Sequence, residues 1–94
     1  MNLKFSGEVY YWRGPSPFYF VNLPDDLARK LKAESSRLTY GWGVIPCTVK
    51  VGKVEFTTSL FPKGDTYAVP LKVAVRKQLD VDVDDVISMT LVFA

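Results

Sequence analysis

Phe20-Val21-Asn22-Leu23-Pro24-Asp25-Asp26-Leu27-Ala28-Arg29-Lys30-Leu31 and Thr66-Tyr67-Ala68-Val69-Pro70-Leu71-Lys72-Val73-Ala74-Val75-Arg76-Lys77 have the same design. Each reads as an apolar strand, a proline and a short amphipathic helix. Superposing Pro24 on Pro70 also superposes Leu27 on Val73 and Ala28 on Ala74. Such self-similarity predicts two interlocked halves around one pseudo-twofold axis. The expected fold is mainly β, a small closed barrel of about six strands with two short helices.

The flanking sequence fills in the strands. Leu3, Phe5, Val9 and Tyr11 alternate with Lys4, Ser6, Glu8 and Tyr10, with Gly7 a candidate bulge. Arg13-Gly14-Pro15-Ser16-Pro17 is a turn, and Phe18 to Val21 is the next strand. Pro24 suits the first turn of a helix, with Asn22 the better capping chemistry. Asp25 and Asp26 sit at the positive end of that helix, and Asp25 reaches Arg29 while Asp26 reaches Lys30. Ser35 to Thr39 reads as a polar connection, and Tyr40-Gly41-Trp42-Gly43 leads into a strand over Val44 to Val51. Gly52-Lys53 closes a hairpin as a type II′ turn. That turn fixes a register of Val51 against Val54, Lys50 against Glu55, Val49 against Phe56 and Thr48 against Thr57. Pro70 opens the second helix, with Leu71, Val75 and Leu79 on one face. Asp80 to Asp85 is a loop, and Ile87, Met89, Leu91 and Phe93 mark a closing strand.

The chain has 94 residues, a hydrophobic share of 48% and a formal charge of +2. This is one domain, residues 1–94, with a modest core and no broad field for steering nucleic acid or anionic lipid. Its single cysteine, Cys47, excludes an internal disulfide and fits a reducing compartment. No apolar stretch resembles a signal peptide or a membrane-spanning helix, so the expected location is cytoplasmic, away from any membrane.

Tyr40-Gly41-Trp42-Gly43-Val44-Ile45-Pro46, Thr58-Ser59-Leu60-Phe61-Pro62 and the run Tyr67 to Lys77, with the opening Phe5-Ser6-Gly7-Glu8-Val9, together resemble a bacterial and archaeal family. It is called domain of unknown function nineteen-zero-five (DUF1905). The resemblance spans nearly the whole chain. It implies a double-split β-barrel of the kind found in the swapped-hairpin AbrB and MazE regulators, there built from two chains. Some members are fused to a YdeI/OmpD-associated domain. The family usually carries Gly-Asp before its last strand, where this chain has Asp84-Asp85; if the backbone there has φ > 0, aspartate can accept it at some cost. The family supplies no catalytic residues to carry over.

Composition also narrows the chemistry. There is no histidine, which removes the commonest general base and metal ligand. Cys47 points to the apolar side of its strand, where a thiol is inert. Asp80, Asp82, Asp84 and Asp85 invite a calcium reading, but counted from Asp80 the glycine position holds Asp85 and the bidentate glutamate position holds Leu91. Neither a metal nor a cofactor is expected.

Two sets of residues remain as ligand-binding candidates. Lys72 and Arg76 are four apart on a helix without an acid. They call for an anion: a carboxylate such as Glu8 or Glu55, or an external ligand or phosphate. Trp12, Arg13, Tyr40 and Trp42, with Tyr10, lie near strand ends, where aromatics either form a platform or pocket or plug the barrel mouth. The sequence thus reads as a non-catalytic binding or interaction module for a small anionic ligand or a protein partner. A DNA-binding regulator of the AbrB/MazE type is the alternative, resting on fold analogy. An enzyme using a carboxylate or lysine, for example Glu8 or Lys72, is a third. Exposed strand edges would also suit a homodimer.

Overall fold

The computed structural model describes residues 1–15, 17–34 and 43–93. Six strands and two helices follow in chain order: β1 (Asn2–Trp12), β2 (Phe18–Asn22), α1 (Asp25–Ala33), β3 (Ile45–Val51), β4 (Val54–Lys63), β5 (Thr66–Pro70), α2 (Val73–Leu79) and β6 (Val86–Val92). They close into a barrel with neighbours in the order β1-β2-β5-β4-β3-β6, all antiparallel.

Two strands are long enough to serve both walls. Residues 2–8 of β1 pair with β6 and residues 9–12 with β2. Likewise residues 54–60 of β4 pair with β3, and 61–63 pair with β5. The front sheet is thus β1-β6-β3-β4 and the back sheet β1-β2-β5-β4. Among the described residues every buried side chain is apolar, with Val9, Val21, Leu31, Ile45, Val49, Leu60, Val69, Leu71 and Leu91 all fully buried. Burying a side chain of this size contributes roughly 1.5–3 kcal/mol.

The hairpin register follows the expected pairs, from Val51↔Val54 through Thr48↔Thr57. Gly52 has φ +57, while Lys53 is not among the positive-φ residues, as a type II′ turn requires. Gly7 is no bulge: the inward–outward alternation runs through it unbroken. It marks the bend where β1 passes from one sheet to the other. A Cβ there would stand 2.7 Å from Val21 Cγ1 and 3.3 Å from the Asn22 carbonyl oxygen.

Exchanging β1 with β4, β2 with β5 and β3 with β6 leaves the ring of neighbours unchanged. The backbone bonds obey the same exchange. Leu23 N–H donates to Tyr67 O at 3.0 Å and Leu71 N–H to Tyr19 O at 2.9 Å, while Ala28 N–H donates to Pro24 O and Arg76 N–H to Lys72 O, both at 2.9 Å. Leu23 therefore corresponds to Leu71, and Pro24 to Lys72 rather than to Pro70. Pro70 is the last residue of β5, paired with Phe20. The ladder runs one bond farther, through the Leu71 amide, so α2 begins only at Val73, behind Lys72 as its N-cap. Sequence matching placed the second helix too early because a proline is as well suited to a strand end as to a helix start.

Asn22 is likewise not a helix cap. Its Oδ1 accepts a hydrogen bond from Tyr10 OH at 2.6 Å, and Pro24 is the N-cap of α1, without a side-chain bond. In α1, Ala28 and Leu31 are buried; α2 has no buried residue, and Leu71 packs into the core ahead of it. The acidic loop organises itself. Asp80 ends α2 with φ +55, and Asp84, where the family usually has glycine, has φ +74. Asp85 Oδ2 accepts from the Asp82 amide and Asp82 Oδ1 from the Val83 amide. Among the described residues, no group of three or more acidic or thiol side chains could hold a metal ion. Nor, among them, is any helix long and apolar enough to cross a membrane.

Candidate binding site

The tip of the β1–β2 hairpin collects most of the candidates, because strand alternation sends its aromatic residues to both faces. On the outer face of the back sheet, Tyr10 pairs with Phe20, Trp12 with Phe18, and Phe20 with Pro70. Phe18 and Trp12 each meet Phe20 edge-on, with ring centroids 5.7 and 6.4 Å apart. Phe20 and Ala68 are buried yet lie outside the barrel's core cluster. The outer face thus carries a small second apolar layer. Lys63 closes it over: its Nζ sits 3.4 Å from the Trp12 ring centre and 4.7 Å from that of Phe20. Desolvation holds the Lys63 ammonium below its ordinary pKa. Trp12 and Lys63 also correspond in the two halves, since Trp12↔Phe18 occupies the place of Lys63↔Thr66.

The other face of the same hairpin carries Tyr11 against Tyr19, ring centroids 4.8 Å apart. Each ring holds a guanidinium. Arg13 lies over Tyr11 at 5.6 Å, and Arg76 lies over Tyr19 at 3.6 Å. Among the described residues, buried Arg76 Nε finds no hydrogen-bond partner. A guanidinium stacked on a ring keeps its in-plane N–H groups for a carboxylate or phosphate.

Lys72 stands apart from this stack. It lines two adjoining depressions that share Thr58, Pro70 and Lys72. One, of about 360 Å³, is mainly apolar, with Pro17, Phe18, Ser59 and Phe61 as its other walls. The second, of about 440 Å³, runs along β4 past Glu55, Phe56 and Thr57 to Val75. The groove exists because β4 has a strand partner on that side only from Phe61 onward, and Pro70 has no N–H with which to extend the ladder. Phe61 is 45% exposed at its rim.

The proposed carboxylate partners are elsewhere. Among the described residues, neither Lys72 nor Arg76 has a carboxylate within 4 Å, and Glu55 instead meets Lys50 at 3.8 Å. Tyr40 and Trp42 fall outside the described residues. The structure therefore brings Arg13 and Arg76 into one stack, sets Trp12 on the opposite face, and leaves Lys72 in the groove. Lys63, Tyr11, Tyr19, Phe18 and Phe61 belong to these surfaces and were not singled out by sequence. The signal was present: on both β1 and β4 the outward residues change from polar to aromatic or basic just past the bend.

Cys47 is only 7% exposed, and burial pushes its thiol up to about 12. It is a free, protonated core side chain at neutral pH. No curated protein matches the chain. The family described as Domain of unknown function (DUF1905) matches residues 5–91, nearly its whole length, and to that family the chain belongs.

Proposed function

We propose that this protein is a non-catalytic binding module that recognises a ligand or protein segment combining a flat apolar group with a carboxylate or phosphate. The observation that carries this reading is Lys72. It lines an apolar groove with Phe18, Phe61 and Pro70 and, among the described residues, has no carboxylate within 4 Å to neutralise it. Apolar walls with one convergent charge are the usual makeup of a small-ligand site. Arg76, stacked on Tyr19, is a separate cation on the other face of the β1–β2 hairpin and lies outside the groove. A non-catalytic role suits a chain without histidine whose one thiol is buried and protonated. A cytoplasmic setting suits the same free thiol. The matched exchange of strands supports an origin by duplication of one strand–strand–helix–strand unit, the two copies standing where the AbrB-like barrels have two chains. The DNA-binding alternative has less behind it, since Arg13, Lys63 and Arg76 are already seated on protein rings and the charge is only +2.

The test uses 2-naphthoate and its neutral amide as probes, followed by amide chemical shifts and calorimetry. The acid is expected to shift residues around Thr58, Phe61 and Lys72 saturably. Lys72→Met should weaken it about tenfold, the worth of one charge-assisted hydrogen bond. Equal binding of acid and amide, or shifts confined to another surface, would overturn the reading.

A further inference from the structure

The outer face of the front sheet carries a different constellation, independent of the groove. Register places Lys4 opposite Thr90 on β6, and Thr90 opposite Lys50 on β3, so the three side chains form one outward row across three strands. With strands about 4.8 Å apart, the two lysine Cα atoms stand roughly 10 Å from each other, with a threonine between them. The next outward row holds Ser6 opposite Ser88. Their hydroxyl oxygens are 2.6 Å apart. One hydroxyl donates to the other, which leaves the second proton free to point outward. Gly52, at the β3–β4 turn, lines the same surface and adds no side chain; a Cβ there would meet nothing within 4 Å.

The result is a shallow depression of about 410 Å³, lined by small hydroxyl residues and two lysines. No carboxylate lines it. Glu55 touches Lys50 from the far side at 3.8 Å, with both side chains more than half exposed. An exposed pair of that length is weak, so Lys50 can turn toward the depression at little cost. Glu8 lies one outward position beyond Ser6, beside Val86. One outward patch therefore offers four donors once Lys50 turns from Glu55: two ammonium groups, the Thr90 hydroxyl and one serine hydroxyl. A planar carboxylate can use two or three of them. A tetrahedral oxyanion, with oxygens directed to several sides, can use all four.

We infer that this face binds a phosphate-type tetrahedral oxyanion between Lys4 and Lys50, over Ser6, Ser88 and Thr90. Free inorganic phosphate and a phosphomonoester both present the same oxygens to these donors. The experiment is a titration of the intact protein with inorganic phosphate, phenyl phosphate and, at matched ionic strength, chloride, read by amide chemical shifts. Phosphate should give saturable shifts centred on Ser6, Lys50, Ser88 and Thr90, with chloride giving none of that pattern. Tighter binding of phenyl phosphate than of phosphate would identify an esterified ligand, and the reverse a free one. Lys4→Met and Lys50→Met should each weaken binding about tenfold. Ser6→Ala/Ser88→Ala should weaken it severalfold with the lysines intact, which a diffuse positive field would not predict. Shifts that follow ionic strength alone, or unchanged affinity in the lysine variants, would overturn the proposal. All four positions are outward-facing, so folding is not at stake, and peak dispersion verifies it.

Discussion

The two outer faces of this barrel are built on the same strands and have opposite chemistry. Up to the bend, the outward residues of β1 are Asn2, Lys4, Ser6 and Glu8; past it they are Tyr10 and Trp12. In β4 they run Glu55, Thr57 and Ser59, then Phe61 and Lys63. The front face is therefore wet, hydroxyl-rich and charged. The back face holds an apolar layer deep enough to bury Phe20 and Ala68 outside the core. A single strand can thus stabilise one wall with inward residues alone and the other with residues on both sides. Aromatic side chains on an exterior do not by themselves signal a ligand; here part of their role is to cover one another.

Truncation should expose this asymmetry most strongly. Phe20→Ala removes the centre of the back layer and is expected to destabilise the protein by about 3 kcal/mol, in the range for buried aromatic truncations. Ser88→Ala on the front face should stay within about 0.5 kcal/mol, as surface changes do. Urea unfolding of both variants checks the contrast, and equal losses would break it. At the crossing point itself, Gly7→Ala drives a methyl to within 2.7 Å of Val21 Cγ1. A cost of roughly 1–3 kcal/mol is expected for such overpacking. Thr58→Ala, at the matching bend of β4, should be milder in the same assay.

Smaller still is the coupling between Trp12 and Lys63. A double-mutant cycle with Trp12→Ala and Lys63→Met should give about 0.5–1 kcal/mol of interaction, the size of a partly exposed cation–π contact. The corresponding cycle for Lys50 and Glu55 on the front face should give about 0.3 kcal/mol or less. If the second cycle exceeded the first, the ranking of the two faces would be reversed.

The barrel was legible because its signals are local and periodic. The Gly52-Lys53 turn dictates one register, and the inward alternation of β1 and β6 leaves no second solution. The helix starts were less legible. Pro24 and Pro70 look alike in sequence, but whether a proline ends a strand or opens a helix depends on how far the neighbouring ladder runs. Here that is decided by Leu71 N–H reaching Tyr19 O on the neighbouring strand β2. The site residues divide in the same manner. Lys72 and Arg76 stood out because the helix lacked an acid, a property of one segment. Their surroundings did not, because Tyr19, Phe18 and Phe61 arrive from strands far away in the chain. Lys63 reads as an ordinary turn lysine until the tertiary fold sets it on Trp12.

The ring of neighbours has one further consequence. If the chain is divided between Gly52 and Lys53, the first fragment keeps only the β1–β2 ladder and the second only β4–β5. The other four seams all join one fragment to the other. Neither piece can bury its own interior, so each alone should remain unfolded, while an equimolar mixture should reassemble the native barrel as a split protein. Cooperativity here is a property of the interleaving, and the covalent link at the hairpin mainly raises the effective concentration of one half for the other.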